Sequence, residues 1–304
     1  MPADDLGVTL VDAINDVVGA HPGFRAAHAK GTCCAGSFTA TPDAARLSRA
    51  AHLQGEAIPA TLRFSNGSGD PKASDAEHDG RGMAVKFHLP DGSSSDIVAI
   101  TLSVFFVRTV DAFLEFTRAR VPDPTTGGPD MEKVGAFLAA HPEALPAVGQ
   151  AIGTPPPASY AQCRFHSLHA FRFLDASGGD RFVRYRWDPD AGEANLTDEE
   201  AQAGPPDYLA TELEQRFAAG PVGFTLFAQL AGDGDDTTDP TQAWPDDREV
   251  VELGHLDLTA FTGDGCDAMI FDPTNVTDGI ECSADEILAA RAAAYSVSYA
   301  RRTS

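Results

Sequence analysis

ATLRFSNGSGDPKASDAEHDGRGMAVKFHLPDGSSSDIVAITLSVFFV, residues 60–107, contains three apolar runs separated by two turn-forming clusters. The runs at 60–65, 82–89 and 96–107 are rich in Phe, Val, Ile, Leu and Thr and have the length of strands. Gly, Asp, Ser and Pro dominate the intervals, because turns need the backbone geometries those residues supply. A fourth strand is expected just upstream, at 32–41. The same spacing returns after the midpoint in RFHSLHAFRFL (164–174), DRFVRYRWD (180–188), VGFTLFAQLA (222–231) and REVVELGHLDL (248–258). Four strands in each half predict an α+β protein built on an eight-stranded antiparallel β-barrel, its interior filled by side chains or holding one ligand. A sandwich of similar strand count is the competing arrangement. Helical patterns at 4–19, 109–120, 130–141, 143–151, 196–219 and 284–302 would lie outside the barrel. The three prolines at 155–157 resemble a linker, but the matching second set of strands argues for one domain over 1–304.

The chain has 304 residues, 43% of them hydrophobic, so a sizeable core is expected. Its net charge of −23 argues against nucleic-acid and anionic-membrane partners, which require basic surfaces. No apolar run has spanning length, and MPADDLGVTL lacks the basic start and apolar core of a signal peptide. Five cysteines without regular spacing do not make a disulfide framework, which predicts a cytoplasmic protein with free thiols. Cys33 and Cys34 are expected to pack in or beside a strand, with a vicinal redox pair as the lesser reading. The acidic loop DGDDTTDP (233–240) lacks the Gly and Glu of a calcium loop and reads as solvated surface.

The final helix, SADEILAARAAAYSVSYARR (283–302), opens on an apparent capping box between Ser283 and Glu286. Arg291 and Tyr295 are four residues apart and share a helix face, with Arg302 returning to nearly the same face two turns on. A guanidinium close to a phenol favours the ionised oxygen, and an anionic tyrosine is a known axial ligand of haem iron. An ordinary amphipathic helix with a packed Tyr is the bland alternative. His166 and His169, three apart on one expected strand, face opposite sides and read as packing residues.

RAAHAKG (25–31), RFSNGSGDP (63–71), DGRGMAVKF (79–87), the run from Asp96 to Arg108, FDPTNVTDGIECS (271–283) and RAAAY (291–295) resemble, in order, the signature stretches of haem catalases. The resemblance runs from about residue 20 to the C-terminus and is greatest to the small catalase-related peroxidases. It implies haem b, with Tyr295 as iron ligand and Arg291 as the cation that keeps it ionised. It also implies His28 as distal acid–base group, since a near-neutral imidazole moves a hydroperoxide proton. Ser65 would orient that imidazole. Arg25, Arg63 and Arg302 would hold the propionates, Phe113 would line the pocket, and Asp79 and Ala27 would lie along the substrate channel.

One departure stands out. Where catalases carry a distal asparagine, this chain has Ile100. Isoleucine offers no donor to orient a second hydrogen peroxide, so the expected activity is reduction of organic hydroperoxides by a separate small electron donor, with weak catalase activity. True catalase activity, isomerisation of fatty-acid hydroperoxides and non-catalytic haem binding are the alternatives. Trp244, in AWPDD, resembles a stretch that contacts NADPH in some large catalases, but the acidic pair after it argues against a dinucleotide here. The missing N-terminal arm implies a small homo-oligomer, such as a dimer.

Overall fold

The computed structural model describes residues 3–304. Its elements in chain order are α1 (Ala3–Val18), β1 (Gly31–Ala40), α2 (Pro42–Leu47), β2 (Ile58–Asn66), β3 (Arg81–His88), β4 (Ser94–Ile100), α3 (Val110–Ala119), α4 (Met131–Ala140) and α5 (Leu145–Gly153). They continue with β5 (Phe165–His166), β6 (Phe171–Leu174), β7 (Asp180–Pro189), α6 (Asp198–Ala203), α7 (Tyr208–Ala219), β8 (Val222–Leu230), β9 (Val250–Gly263), β10 (Ile280–Cys282) and α8 (Glu286–Thr303). All pairings are antiparallel, in the order β10-β6-β7-β5-β4-β3-β2-β1-β9-β8, and β7 also pairs with β8. That extra ladder closes the sheet into a barrel. Because β5 and β6 lie end to end along β7, they count as one stave, and with the short β10, which pairs only with β6, set aside, the barrel has eight. No helix among the described residues is long and apolar enough to cross a membrane.

Aromatic side chains fill the barrel. Phe38 meets Phe87 and Trp187 edge to face at 5.2 and 6.0 Å between centroids, and Phe64 stacks on Tyr160 at 5.3 Å. The strands alternate, as a period of two requires. Leu62 and Phe64, Met83 and Val85, and Ile97 and Ala99 join this interior, whereas Arg63 and Ser65, Gly82 and Ala84, and Val98 and Ile100 line a cavity on the outer face. Helices α1, α3 and α8 cover that face, with Leu10, Ala13, Leu114 and Ala290 packed between them. The interior is therefore core, and this cavity lies between barrel wall and helices.

Three expected elements are divided. The run at 164–174 breaks after β5, where Leu168 takes a left-handed conformation (φ 61°) and His169 N–H donates to the Ser167 carbonyl. Residues 101–107 leave the sheet because β5 offers β4 a single pairing, Ile100 with His166. The helix expected over 196–219 becomes α6 and α7, since Pro205 and Pro206 lack the N–H that a continuous helix would use.

The thiol expectation is also corrected. Cys33 and Cys266 form a disulfide with a Cα–Cα distance of 5.8 Å, leaving Cys34, Cys163 and Cys282 free. The loop at 233–240 is not merely solvated surface. Asp239 is buried and accepts from Thr241 and Gln242, and Asp235 pairs with Arg248 at 2.7 Å.

Candidate functional site

A cavity of about 260 Å³ lies between the β2–β4 face of the barrel and helices α1, α3 and α8. Its walls include Arg25, Ala27, His28, Arg63, Ser65, Ile100, Phe113, Arg291, Tyr295 and Arg302. Of the residues singled out from sequence, Asp79 alone does not reach the wall. It accepts from Ser68 N–H at 2.8 Å, burial raises its pKa, and its neighbour Gly80 abuts Ile100.

His28 precedes β1 with φ 55°, a conformation costing a non-glycine residue about 1 kcal/mol. Three contacts hold it there. Its N–H donates to the Gly67 carbonyl at 3.1 Å, its carbonyl accepts from Arg63 Nη1 at 3.0 Å, and its Nδ1 bonds Ser65 Oγ at 3.0 Å. Gly82 makes room for the pair, since a Cβ there would sit 2.6 Å from Ser65 Oγ and 2.8 Å from His28 Nδ1. Burial pushes the His28 pKa down to about 3, and the charges of Arg63, Arg291 and Arg25 add to the shift. The imidazole is neutral at pH 7, with Nε2 left without a partner among the described residues.

Tyr295 lines the same cavity from α8. Its Oη accepts from Arg291 Nη2 and, at 3.2 Å, from Arg291 Nε. Arg291 Nη1 lies 3.1 Å from His169 Nε2, and His169 Nδ1 lies 2.6 Å from Asp285 Oδ2. A guanidinium only donates, so Nε2 accepts and Nδ1–H donates to Asp285. Burial lowers the His169 pKa, consistent with that neutral tautomer. Asp285, not Ser283, caps α8: its Oδ1 accepts from Ile287 and Leu288 N–H at 2.8 and 3.1 Å. Glu286 is occupied elsewhere, accepting from Val110 N–H at 2.8 Å.

His169 and Asp285 escaped the sequence reading. The reading of His169 as a packing residue assumed an unbroken strand, and the break at Leu168 turns its ring toward α8. Leu10, Val11 and Ile14 of α1 were likewise unforeseen as cavity walls. No local signal distinguishes them from ordinary core positions.

Three cations meet at one edge. Arg25 donates to Asp267 at 3.0 Å and to the Met269 carbonyl at 3.1 Å, Arg63 to Asp267 at 3.4 Å, and Arg302 to the Met269 carbonyl at 2.8 Å. Burial pushes Arg63 and Arg302 down to about 10, and repulsion from Arg25 contributes in both. The half-exposed Asp267 carboxylate pairs with Arg25 and Arg63 only, and among the described residues Arg302 Nε is buried without a partner. The edge therefore lacks anionic charge, which is the environment a dicarboxylate would satisfy. Apolar walls with a tyrosine oxygen on one helix and two unmatched cations at one rim suit a haem. Among the described residues, no cluster of His, Cys, Asp and Glu could hold a bare metal ion instead.

The model for the family described as catalase matches residues 9–304. A catalase-related peroxidase of Mycolicibacterium paratuberculosis is 44% identical, aligning 96% of this chain with 93% of its own length. The chain belongs to the catalase family. A catalase-related peroxidase of Synechococcus elongatus is 39% identical over 98% of the chain and 89% of its own length. The catalase of Rattus norvegicus is 30% identical, but only 54% of it is covered. Among solved structures, a fungal catalase superposes with a TM-score of 0.82 at 26% identity, covering 92% of this chain and 59% of that one. Catalase A from Saccharomyces cerevisiae gives 0.83 at 26% identity, with 92% and 61% covered. This family member thus spans little more than half the length of full-size catalases. It is a haem-binding oxidoreductase that acts on peroxide.

Proposed function

We propose that this catalase-family protein is a haem b peroxidase. It reduces hydroperoxides ROOH to ROH at the expense of small oxidisable donors, prefers organic hydroperoxides, and dismutates hydrogen peroxide weakly. The observation that carries the reading is one cavity lined by the His28–Ser65 pair and the Arg291–Tyr295 pair, with Ile100 in the wall where catalases place an asparagine.

Tyr295 Oη would bind the iron, and the two Arg291 donors would stabilise negative charge on that oxygen. Arg25, Arg63 and Arg302 would hold the propionates, while Phe113 and the α1 residues enclose the porphyrin. Bound haem would supply the two-electron redox chemistry that links peroxide reduction to donor oxidation. His28 handles the proton. With Nδ1–H donating to Ser65, Nε2 offers a lone pair to the terminal O–H of ROOH, then returns the proton to the departing RO oxygen. Its low pKa keeps the imidazole basic in form, though the proton must be passed on promptly. Ser65 holds the ring plane through its bond to Nδ1. Ala27 and Ile100 leave an apolar approach without a donor to seat a second hydrogen peroxide.

The test compares dye oxidation driven by tert-butyl hydroperoxide with oxygen release from hydrogen peroxide, using protein loaded with haem. Vigorous oxygen release without a donor would overturn the peroxidase reading in favour of a true catalase.

A further inference from the structure

Residues 264–269, the turn after β9, supply acceptors to all three cavity arginines. The Asp267 carboxylate takes Arg25 and Arg63, and the Met269 carbonyl takes Arg25 and Arg302. No strand holds this segment. Successive turns fold it, with Gly265 N–H donating to Thr262, Asp267 to Asp264 and Met269 to Cys266. Two anchors fix its course. Gly263, the last residue of β9, pairs with Cys33 of β1, and Cys266 is joined to the same Cys33 through the disulfide. Both sulfurs are fully buried against Phe271, itself part of the cavity wall. The covalent anchor sits one residue before Asp267.

We propose that Cys33 and Cys266 form an oxidation site that fixes the 264–269 turn and so sets the grip of Arg25, Arg63 and Arg302 on the haem carboxylates. The proposal rests on the haem reading above. The bond closes with the enzyme's own substrate class: two thiols and one ROOH give a disulfide, ROH and water. Two electrons pass from the sulfurs into the O–O bond, and the two thiol protons end on ROH and water. Cys34 cannot substitute for Cys33, because it points the other way from β1 into the barrel core, where burial pushes its thiol up to about 12. Cys163 lies in that core as well.

Two measurements decide it. Alkylation of denatured protein after tert-butyl hydroperoxide treatment should label three thiols without reductant and all five with it. Apoprotein is then titrated with haem and with haem dimethyl ester, which lacks the carboxylate charges. Oxidised wild type should prefer haem by about ten-fold or more, as charge-assisted bonds require. Reduced wild type and the Cys33→Ala/Cys266→Ala variant should lose most of that preference while binding the ester nearly as before. Cys266→Ala alone, which breaks the bond while Cys33 stays in place, should lose it too, and keeps the question decidable if the double variant fails to fold. Five reactive thiols after peroxide, an undiminished preference in the double variant, or equal loss for both ligands would overturn the proposal. If oxidised wild type binds neither ligand, the haem reading fails and the proposal with it. The thiol count, which does not depend on haem, separates that outcome from the others.

Discussion

Tyr295→Phe removes the one oxygen that Arg291 meets with two donors and leaves the packing of α8 unchanged. The expected result is loss or severe weakening of haem retention, read as a missing or displaced Soret band beside an apoprotein melt close to that of the wild-type apoprotein. Ile100→Asn returns an amide to the cavity wall. Oxygen release should then rise relative to dye oxidation by about ten-fold, the scale of one positioned hydrogen bond; an unchanged ratio would refute the role given to Ile100. That these two residues line one cavity was legible because each sits in one of several motifs that occur in a fixed order. Asp267 and His169 were not, since their roles come from partners far away in the chain: Arg25 lies 242 residues from Asp267, and Arg291 lies 122 from His169.

Helix α8 shows why element boundaries are harder to read than element types. Ser283 and Glu286 have the spacing of a capping box, yet the helix starts from Asp285, whose second oxygen holds His169 from 116 residues upstream. A tertiary contact thus selects among local candidates of similar quality. Asp285→Ala should cost about 1 kcal/mol for the cap and about 1–3 kcal/mol for the orphaned His169 N–H, measured by denaturant unfolding of the apoprotein. Asp285→Asn keeps a good cap and an acceptor, so most of that stability should return. A Soret shift in the Asn variant would then report the lost charge behind Arg291 rather than unfolding. The strands were readable as apolar runs between turn clusters, and the barrel from their number in each half. The division between β5 and β6 was not, because left-handed Leu168 carries no composition signal.

At the scale of the molecule, acid should loosen the fold through buried imidazoles. His52 is 1% exposed, stacks on Phe87 at 4.5 Å, and has no partner on either ring nitrogen. Burial pushes its pKa down from 6.5 to about 3. The unfolded chain therefore takes the proton first, so this stability is fully present above pH 6.5 and is lost as pH falls toward 3. The slope is about 1.4 kcal/mol per pH unit for each such group, and His28 and His166 act in the same direction. Apoprotein His52→Leu, unfolded in denaturant between pH 7 and 4.5, should have a shallower slope by about one histidine's share; parallel curves for the two proteins would contradict the assignment. The two-faced wall has a consequence of another kind. Insert or delete a single residue within β2 and every side chain beyond it changes sides: Arg63 would be driven into the aromatic core, and Phe64 out into the cavity. The gene can therefore lengthen or shorten the exposed stretch at 90–93 far more freely than it can alter β3 and β4, which it connects, so drift in this lineage should collect at that hairpin tip.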